Sequence, residues 1–350
     1  MTAFRAPFLS LVLLFLLLAP ASAWAKLQVV VTCSSYEPIV EYLGGDHVEV
    51  MHLVEGYQDP HIVRPKPSLA VHLAKADLFV ETGLDLEAWV PALVDQAGNP
   101  DIRSGQKGFV SVSTGVKVIE VPSAINRAEG DVHLFGNPHI HTSPINGKII
   151  AENIATGLKR VDPAHAAEYD ANLARFKAEI DTRLYGSELV RMVGSATLDR
   201  LAQSGRLVAF LESQTYQGRS MSSYLGGWMA QAAPLRGRKL VNFHKNWGYF
   251  VDLFGIQVVG YMEPKPGLPP SPGHITSLVD RMQHEDVRVI FDANYFDPAK
   301  MRLVADRTGA VAVQVGLAVG GQSGMDDFFD QFDIWIATLL DAYKRAGVIS

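Results

Sequence analysis

Three histidines stand in separate, turn-rich contexts: His61 in Asp59-Pro60-His61, His139 in Asn137-Pro138-His139-Ile140-His141, and His244 in Asn242-Phe243-His244-Lys245. Imidazole is the commonest protein ligand for zinc and its neighbours, so the chemistry on offer is capture of a transition-metal ion. Pro60 and Pro138 restrict the backbone just before two of the rings, which helps fix where each points. Each histidine follows an apolar or strand-like stretch. In open α/β sheets ligands gather beyond the carboxyl ends of strands, so loops distant in sequence can converge on one cleft.

An oxygen ligand is expected to complete the set, because zinc prefers four ligands and a carboxylate offsets the ion's charge. Asp292, after the apolar run Val289-Ile290-Phe291, suits this role, although an Asx turn beside Ala293-Asn294 would explain it equally. Glu263 is a weaker candidate, and Asp59 is placed to orient His61 through a hydrogen bond. His133 and His141 flank His139, and either could contribute to metal capture or exchange; His141 is expected to stand outside the ligand set. His47, His52, His72, His165, His274 and His284 show no partner pattern and read as bystanders.

The elements that must position these groups alternate strand and helix. Strands are expected over Leu27 to Thr32, Val48 to Val54 and Asp77 to Thr82, with helices over Tyr36 to Leu43, from Ser68 onward, and over Leu86 to Gln96. A long helix is expected from Asp162, with Pro163 in its first turn and Tyr169, Leu173, Phe176, Ile180 and Leu184 on one apolar face. The rhythm returns after Pro234. Strands are expected over 240–243, 256–261, 287–291 and 310–315, and helices over 247–254, 274–284, 298–308 and 326–345. The expected architecture is therefore α/β, with two parallel-sheet lobes bridged by one long rigid helix and the metal site in the cleft between them. The divisions are a leader over 1–25, a first lobe over 26–161, the linking helix over 162–184, and a second lobe over 185–350 containing an unassigned insertion at 185–234.

Residues 1–25 read as a signal peptide: Arg5, an apolar run from Phe8 to Leu18, and small residues at Ala21-Ser22-Ala23-Trp24-Ala25, with cleavage favoured after Ala25. The apolar run is short for a membrane span. Of 350 residues, 48% are hydrophobic, which allows a substantial core. The formal net charge of −6 and the lack of any long basic run argue against nucleic acid. The single cysteine, Cys33, excludes an internal disulfide and a multi-cysteine metal site, and its position after Val29-Val30-Val31 suits a small core residue.

Signatures of catalysis are poor. The chain lacks His-Glu-x-x-His, Gly-x-Ser-x-Gly and a phosphate-cradling Gly-x-x-x-x-Gly-Lys-Ser/Thr. Three histidines could still hold a catalytic zinc with bound water, with Glu81 or Glu212 as base. The alternatives to pure metal binding are thus an exported zinc-dependent hydrolase and a two-lobed binder of an organic solute.

Taken together, the motifs resemble the zinc/manganese substrate-binding proteins of bacterial metal ABC transporters, the cluster A-I or ZnuA-like family. The resemblance runs through Asp59-Pro60-His61 with Pro67-Ser68, Ala76-Asp77-Leu78 and Gly83 to Trp89. It continues in Asn137-Pro138-His139-Ile140-His141-Thr142-Ser143-Pro144, with His141 where the family carries tryptophan, in Phe243 to Phe250 with Gly255, and in Glu263-Pro264 with Pro270-Ser271-Pro272. The family fold that this implies is two lobes bridged by a single helix, with metal between them, and it implies His61, His139 and His244 as ligands.

Three departures stand out, one of them that the stretch from about Tyr185 to Pro234 is longer than the family's. The family's aspartate ligand would fall near Val315-Gly316-Leu317, where no carboxylate stands, so the fourth ligand is Asp292, His141 or a water. The family's long His/Asp-rich loop is reduced to Glu129-Gly130-Asp131-Val132-His133. The resemblance implies a periplasmic monomer that binds Zn2+, with Mn2+ second, and delivers it to a membrane permease without turnover. No nucleic acid and no membrane span after cleavage are expected.

Overall fold

A computed structural model describes residues 25–64, 66–122, 133–265 and 267–350. The expected leader, up to residue 24, and most of the Glu129 to His133 segment lie outside the described residues. The first sheet is built from β1 (Leu27–Cys33), β2 (Val48–Val54), β3 (Leu78–Glu81) and β4 (Phe109–Ser111), all parallel in the order β2-β1-β3-β4. The second is built from β7 (Lys239–Asn242), β8 (Gln257–Tyr261), β9 (Val289–Ala293) and β10 (Val311–Val315), parallel in the order β8-β7-β9-β10. The two lobes thus repeat one topology, although the sequence carries no visible repeat.

The central strands β1, β3, β7 and β9 are largely apolar and buried because both faces of each sheet are covered there, whereas the edge strand β2 exposes Glu49. Alternation then sorts the residues. Val29 and Val31 enter a large inner core, whereas Val30 enters an outer core with Leu53, Phe79 and Ile102. In the second lobe Leu240, Val289 and Phe291 point to that same inner core, while Val241 and Ile290 pack outward with Val279 and Met301. Burying each such side chain contributes about 1.5–3 kcal/mol. The inner core is continuous between lobes, so moving one sheet against the other must disturb apolar contacts as well as loops.

Helices α1 (Glu37–Gly44), α2 (Pro67–Leu73) and α3 (Val90–Ala97) flank the first sheet, and α4 (Pro144–Val161) and α5 (Ala166–Tyr185) follow it. The expected 162–184 helix begins later. Asp162 caps α4, and Pro163 opens a short 3-10 turn before α5 starts at Ala166. The helix expected over Leu86 to Gln96 also starts late, at Val90, because Gly83, Leu84 and Asp85 are all left-handed (φ 82°, 58° and 61°) and are followed by turns. Outside the 185–234 segment, two named elements, β4 and α4, carry no expectation from the sequence. Strand β4 is only three residues long; α4 has a legible start at Ser143-Pro144, where the serine hydroxyl caps the helix.

The 185–234 segment forms α6 (Ser187–Val193), α7 (Ser195–Gln203), α8 (Leu207–Ser213), a hairpin of β5 (Thr215–Tyr216) and β6 (Arg219–Ser220), and α9 (Gly227–Gln231). Buried Lys148 of α4 ties it down through Asp181 of α5 and Asp199 of α7, and the Tyr185 hydroxyl donates to Asp199 at 2.9 Å. The second lobe adds α10 (Gly248–Phe254), α11 (Pro272–His284), α12 (Pro298–Thr308) and α13 (Phe328–Arg345). Phe328 and Phe329 at the start of α13 pack against Phe176 of α5 with tilted rings, at 5.9 and 5.2 Å between ring centres. Among the described residues no helix is long and apolar enough to cross a membrane.

The loop after β2, which leads to His61, lies directly on the second lobe. A Cβ on Gly56 would meet the Val319 carbonyl at 2.1 Å, and the Ser34 hydroxyl donates to the same carbonyl at 2.7 Å. At the end of β2, His52 bridges Glu37 of α1 and Glu55, the latter at 3.1 Å. The hydrogen bond that His52 donates to Glu37 is the main reason its pKa rises to about 9, against the cost of partial burial. Folding therefore favours the protonated ring. Its contribution is fully present below the ordinary value of about 6.5 and is lost as pH rises through about 9, muted by solvent at this half-buried site. Replacing His52 by Gln should flatten the decline in melting temperature between pH 6.5 and 9; an unchanged slope would remove this pair from the account.

Candidate metal centre

Four imidazoles meet beyond the carboxyl ends of the strands: those of His61, His133, His139 and His244. Their ring centres are separated by 5.1, 5.1, 5.3, 5.3, 5.4 and 5.4 Å over all six pairs, which is nearly a regular tetrahedron. The centre of such a figure lies about 3.2 Å from each ring centre; taking off about 1.1 Å from ring centre to nitrogen leaves about 2.1 Å, the length of a zinc–imidazole bond. One candidate ligand atom from each ring lies within 4.8 Å of the others, and the Nε2 atoms of His133 and His244 are 3.2 Å apart. A tetrahedral ion needs about 3.3 Å along each edge.

Three of the rings are aimed by acceptors at Nδ1. Asp59 Oδ1 takes the backbone N–H of His61 at 3.0 Å and its Nδ1–H at 2.7 Å. Asn137 Oδ1 does the same for His139, at 3.0 and 2.9 Å. Both are Asx turns closed over a proline, so the acceptor, the proline and the histidine form one rigid unit. Glu263 Oε2 holds His244 Nδ1 at 2.6 Å, and the other carboxylate oxygen accepts from the Gly267 N–H at 2.7 Å. With the proton on Nδ1, each Nε2 presents a lone pair. The Nε2 atoms of His61 and His139 are buried with no hydrogen-bond partner among the described residues, which costs about 1–3 kcal/mol for each group left unsatisfied. Donors of this kind fit a cation.

Electrostatics keep the rings ready. Burial, reinforced by His61, His244 and Lys245, pushes His133 down to about 2. Burial, with the neighbouring His61, His133 and His244, also holds His139 well below its ordinary value. Both are therefore neutral near pH 7 and have no proton to lose when an ion arrives. Burial would raise the Asp59 carboxyl, but the bonds and charge from His61 outweigh it, so Asp59 stays ionised.

The structure brings His61, His139 and His244 together, and the fourth imidazole is His133, a possible contributor on sequence, in place of Asp292 or His141. Asp292, expected as the oxygen ligand, does not join the group. It is fully buried at the end of β9, where Ala293 N–H donates to it at 2.9 Å. Burial pushes its carboxyl well above the usual range, opposed by N–H groups of Ala293, Phe243 and Trp247. His141 turns away to face the Tyr36 ring edge-on at 6.4 Å, and burial lowers it to about 4 against a backbone contact with Leu317. Glu263 acts behind His244.

Glu81 lines a cavity of about 450 Å³ beside His61 and His133; burial, with Glu87 and Asp85, raises it to about 7. Glu212 is exposed on α8. Cys33 is buried at the end of β1, its Sγ 3.5 Å from Glu87. His133 carried a sequence signal, since it lies six residues before His139. What the sequence lacks is the Gly136 turn (φ 93°) that folds the segment back.

A family model described as ZnuA, the periplasmic component A of the zinc-uptake complex, matches residues 29–183 and 225–342. The helices and hairpin between these ranges fall outside it. Among curated relatives, the manganese ABC transporter substrate-binding lipoprotein PsaA of Streptococcus anginosus is 32% identical over 165 residues, which is 46% of this chain and 50% of the relative. The iron ABC transporter substrate-binding lipoprotein MtsA of Streptococcus pyogenes serotype M1 is 28% identical over 191 residues, 53% of this chain and 56% of the relative. The match thus spans about half the length of these relatives. Among solved structures, ZnuA superposes with a TM-score of 0.67 at 23% identity, covering 91% of this chain and 99% of that one. The Mn-bound periplasmic metal binding protein from candidatus liberibacter asiaticus superposes at 0.63 with 19% identity, again covering 91% and 99%. These likenesses establish the two-lobed fold.

The ligand sets expected from sequence and from geometry separate experimentally. In zinc titrations of chelator-stripped protein, His133→Ala should weaken binding by a factor of about 100, whereas His141→Ala and Asp292→Asn should stay within about threefold of the parent. A large loss in Asp292→Asn with none in His133→Ala would restore the carboxylate as ligand.

Proposed function

Since the chain belongs to the ZnuA family, we propose that it is the periplasmic metal-binding component of an ABC transporter, capturing Zn2+ and delivering it to the membrane permease. The observation that carries this reading is the tetrahedron of imidazoles, whose size suits a zinc ion bound by four nitrogens.

The choice of zinc over manganese rests on the donors. Harder ions such as Mn2+ favour carboxylate and water oxygen, and all four candidate donors here are imidazole nitrogens. Negative charge is supplied one bond further out, by Asp59 behind His61 and Glu263 behind His244. This raises the basicity of the two rings without placing oxygen against the metal. Relatives named for manganese and iron share the architecture, so selectivity belongs to the donor set and not to the fold.

A closed set of four ligands also favours carriage over hydrolysis. Catalytic zinc sites keep a coordination position for water, and a fourth imidazole fills it. Delivery then requires the ligands to separate, and they come from both lobes: His61, His133 and His139 from loops of the first, His244 from the loop after β7.

The test is equilibrium titration of the stripped protein with zinc and with manganese, beside His61→Ala, His139→Ala and His244→Ala. One zinc per chain, held at least about a hundredfold more tightly than manganese and weakened in all three variants, is the expected result. Tighter binding of manganese, or zinc uptake that survives all three substitutions, would overturn the proposal.

A further inference from the structure

We propose that Asn137 is a positioning residue that couples the imidazole of His139 to the loop carrying His244, so that ligands from the two lobes are set by one side chain. The inference rests on reading the four histidines as the metal's ligands.

Asn137 is 1% exposed, and every polar group it has is engaged. Its N–H donates to the Ile119 carbonyl at 2.9 Å, and its own carbonyl accepts from the Tyr249 hydroxyl of α10 at 2.7 Å. The side-chain oxygen takes both N–H groups of His139. The side-chain NH2 donates to the Lys245 carbonyl at 2.7 Å and to Glu120 Oε2 at 3.2 Å. Lys245 is the residue after His244, and its ammonium lies 3.9 Å from the same Glu120 oxygen. Two of these contacts cross the cleft, from a loop of the first lobe to Lys245 and Tyr249 of the second.

Comparison with Asp59 isolates why an amide stands here. The two Asx-Pro-His units are alike in geometry, so an aspartate at 137 would hold His139 as Asp59 holds His61. It would have no N–H for the Lys245 carbonyl, and it would set a carboxylate against both that carbonyl and Glu120. Orientation of His139 alone is therefore served by either residue, and the contact across the cleft only by asparagine. With Asn137 in place, a shift of the His244 loop pulls on the group that aims His139. Ligands on opposite lobes then engage and release together.

Asparagine-to-aspartate exchange separates the two roles. If Asn137 only aimed His139, Asn137→Asp would bind zinc at least as tightly as the parent, because the added charge makes the imidazole a better donor. The coupling predicts instead a loss of about 10- to 100-fold in affinity, with faster zinc release, in a protein whose metal-free melting temperature marks it as folded. Glu120→Gln added to Asn137→Asp should recover only part of the loss, since the Lys245 carbonyl still lacks its donor. Affinity equal to or above the parent in Asn137→Asp would overturn the inference. Should Asn137→Asp fail to fold, Tyr249→Phe removes one contact across the cleft without touching His139. It should speed zinc release by about 2- to 10-fold, and an unchanged rate would overturn the inference. Failure of the underlying reading is distinct, for then the parent protein itself takes up no zinc.

Discussion

Everything in this molecule is arranged so that neutral imidazoles can face one another with their lone pairs inward. Left alone, such rings would turn to water or to each other. Here each of three is held by an acceptor behind it: Asp59 for His61, Asn137 for His139 and Glu263 for His244. The acceptor fixes the tautomer, and the resulting Nε2 atoms of His61 and His139 are buried with no hydrogen-bond partner among the described residues. That unfavourable arrangement persists only because the surroundings over-determine it. Burial then keeps the rings of His133 and His139 uncharged, holding both well below the ordinary imidazole range.

The fold supplies the surroundings twice over. Two sheets of the same order present their carboxyl ends to one cleft, and the residues bearing donors lie in the loops that follow β2, β4 and β7. Behind the cleft the lobes do not part. Their inner faces share an apolar core, α13 reaches across to Phe176 of α5, and Gly56 allows backbone to lie on backbone at the seam. In a molecule joined in this way, wide hinge motion between the lobes would expose core. Capture and release by short-range displacement of ligands suits that constraint.

The insertion between α5 and α9 stands apart from this economy. It lies outside the family match, yet buried Lys148 binds it through Asp181 and Asp199 to the helices beneath the cleft. Burying Lys148 and Asp181 is costly unless they are paired, and half-buried Asp199 gives Lys148 its second partner. The insertion is thus built on the scaffold without entering the donor set.

The strands, most helices and three of the four histidines were legible because they depend on local patterns: apolar runs, turn residues and proline before histidine. The sequence alone also pointed to nitrogen-rich donors and ruled out a multi-cysteine site, since there is one cysteine. Tertiary structure decided the rest. Asp292 ends its strand as expected, but it is buried against Ala293 and Trp247, and nothing local in Phe291-Asp292-Ala293 distinguishes a carboxylate facing a cleft from one facing a core. His133 enters through a left-handed turn at Gly136 that folds the segment onto His244, 111 residues away. The start of α5 shifted because Pro163 suits a 3-10 turn as well as a helix's first turn. Residue type sets which chemistry is possible; which groups share it depends on distances between loops far apart in sequence, and only packing fixes those.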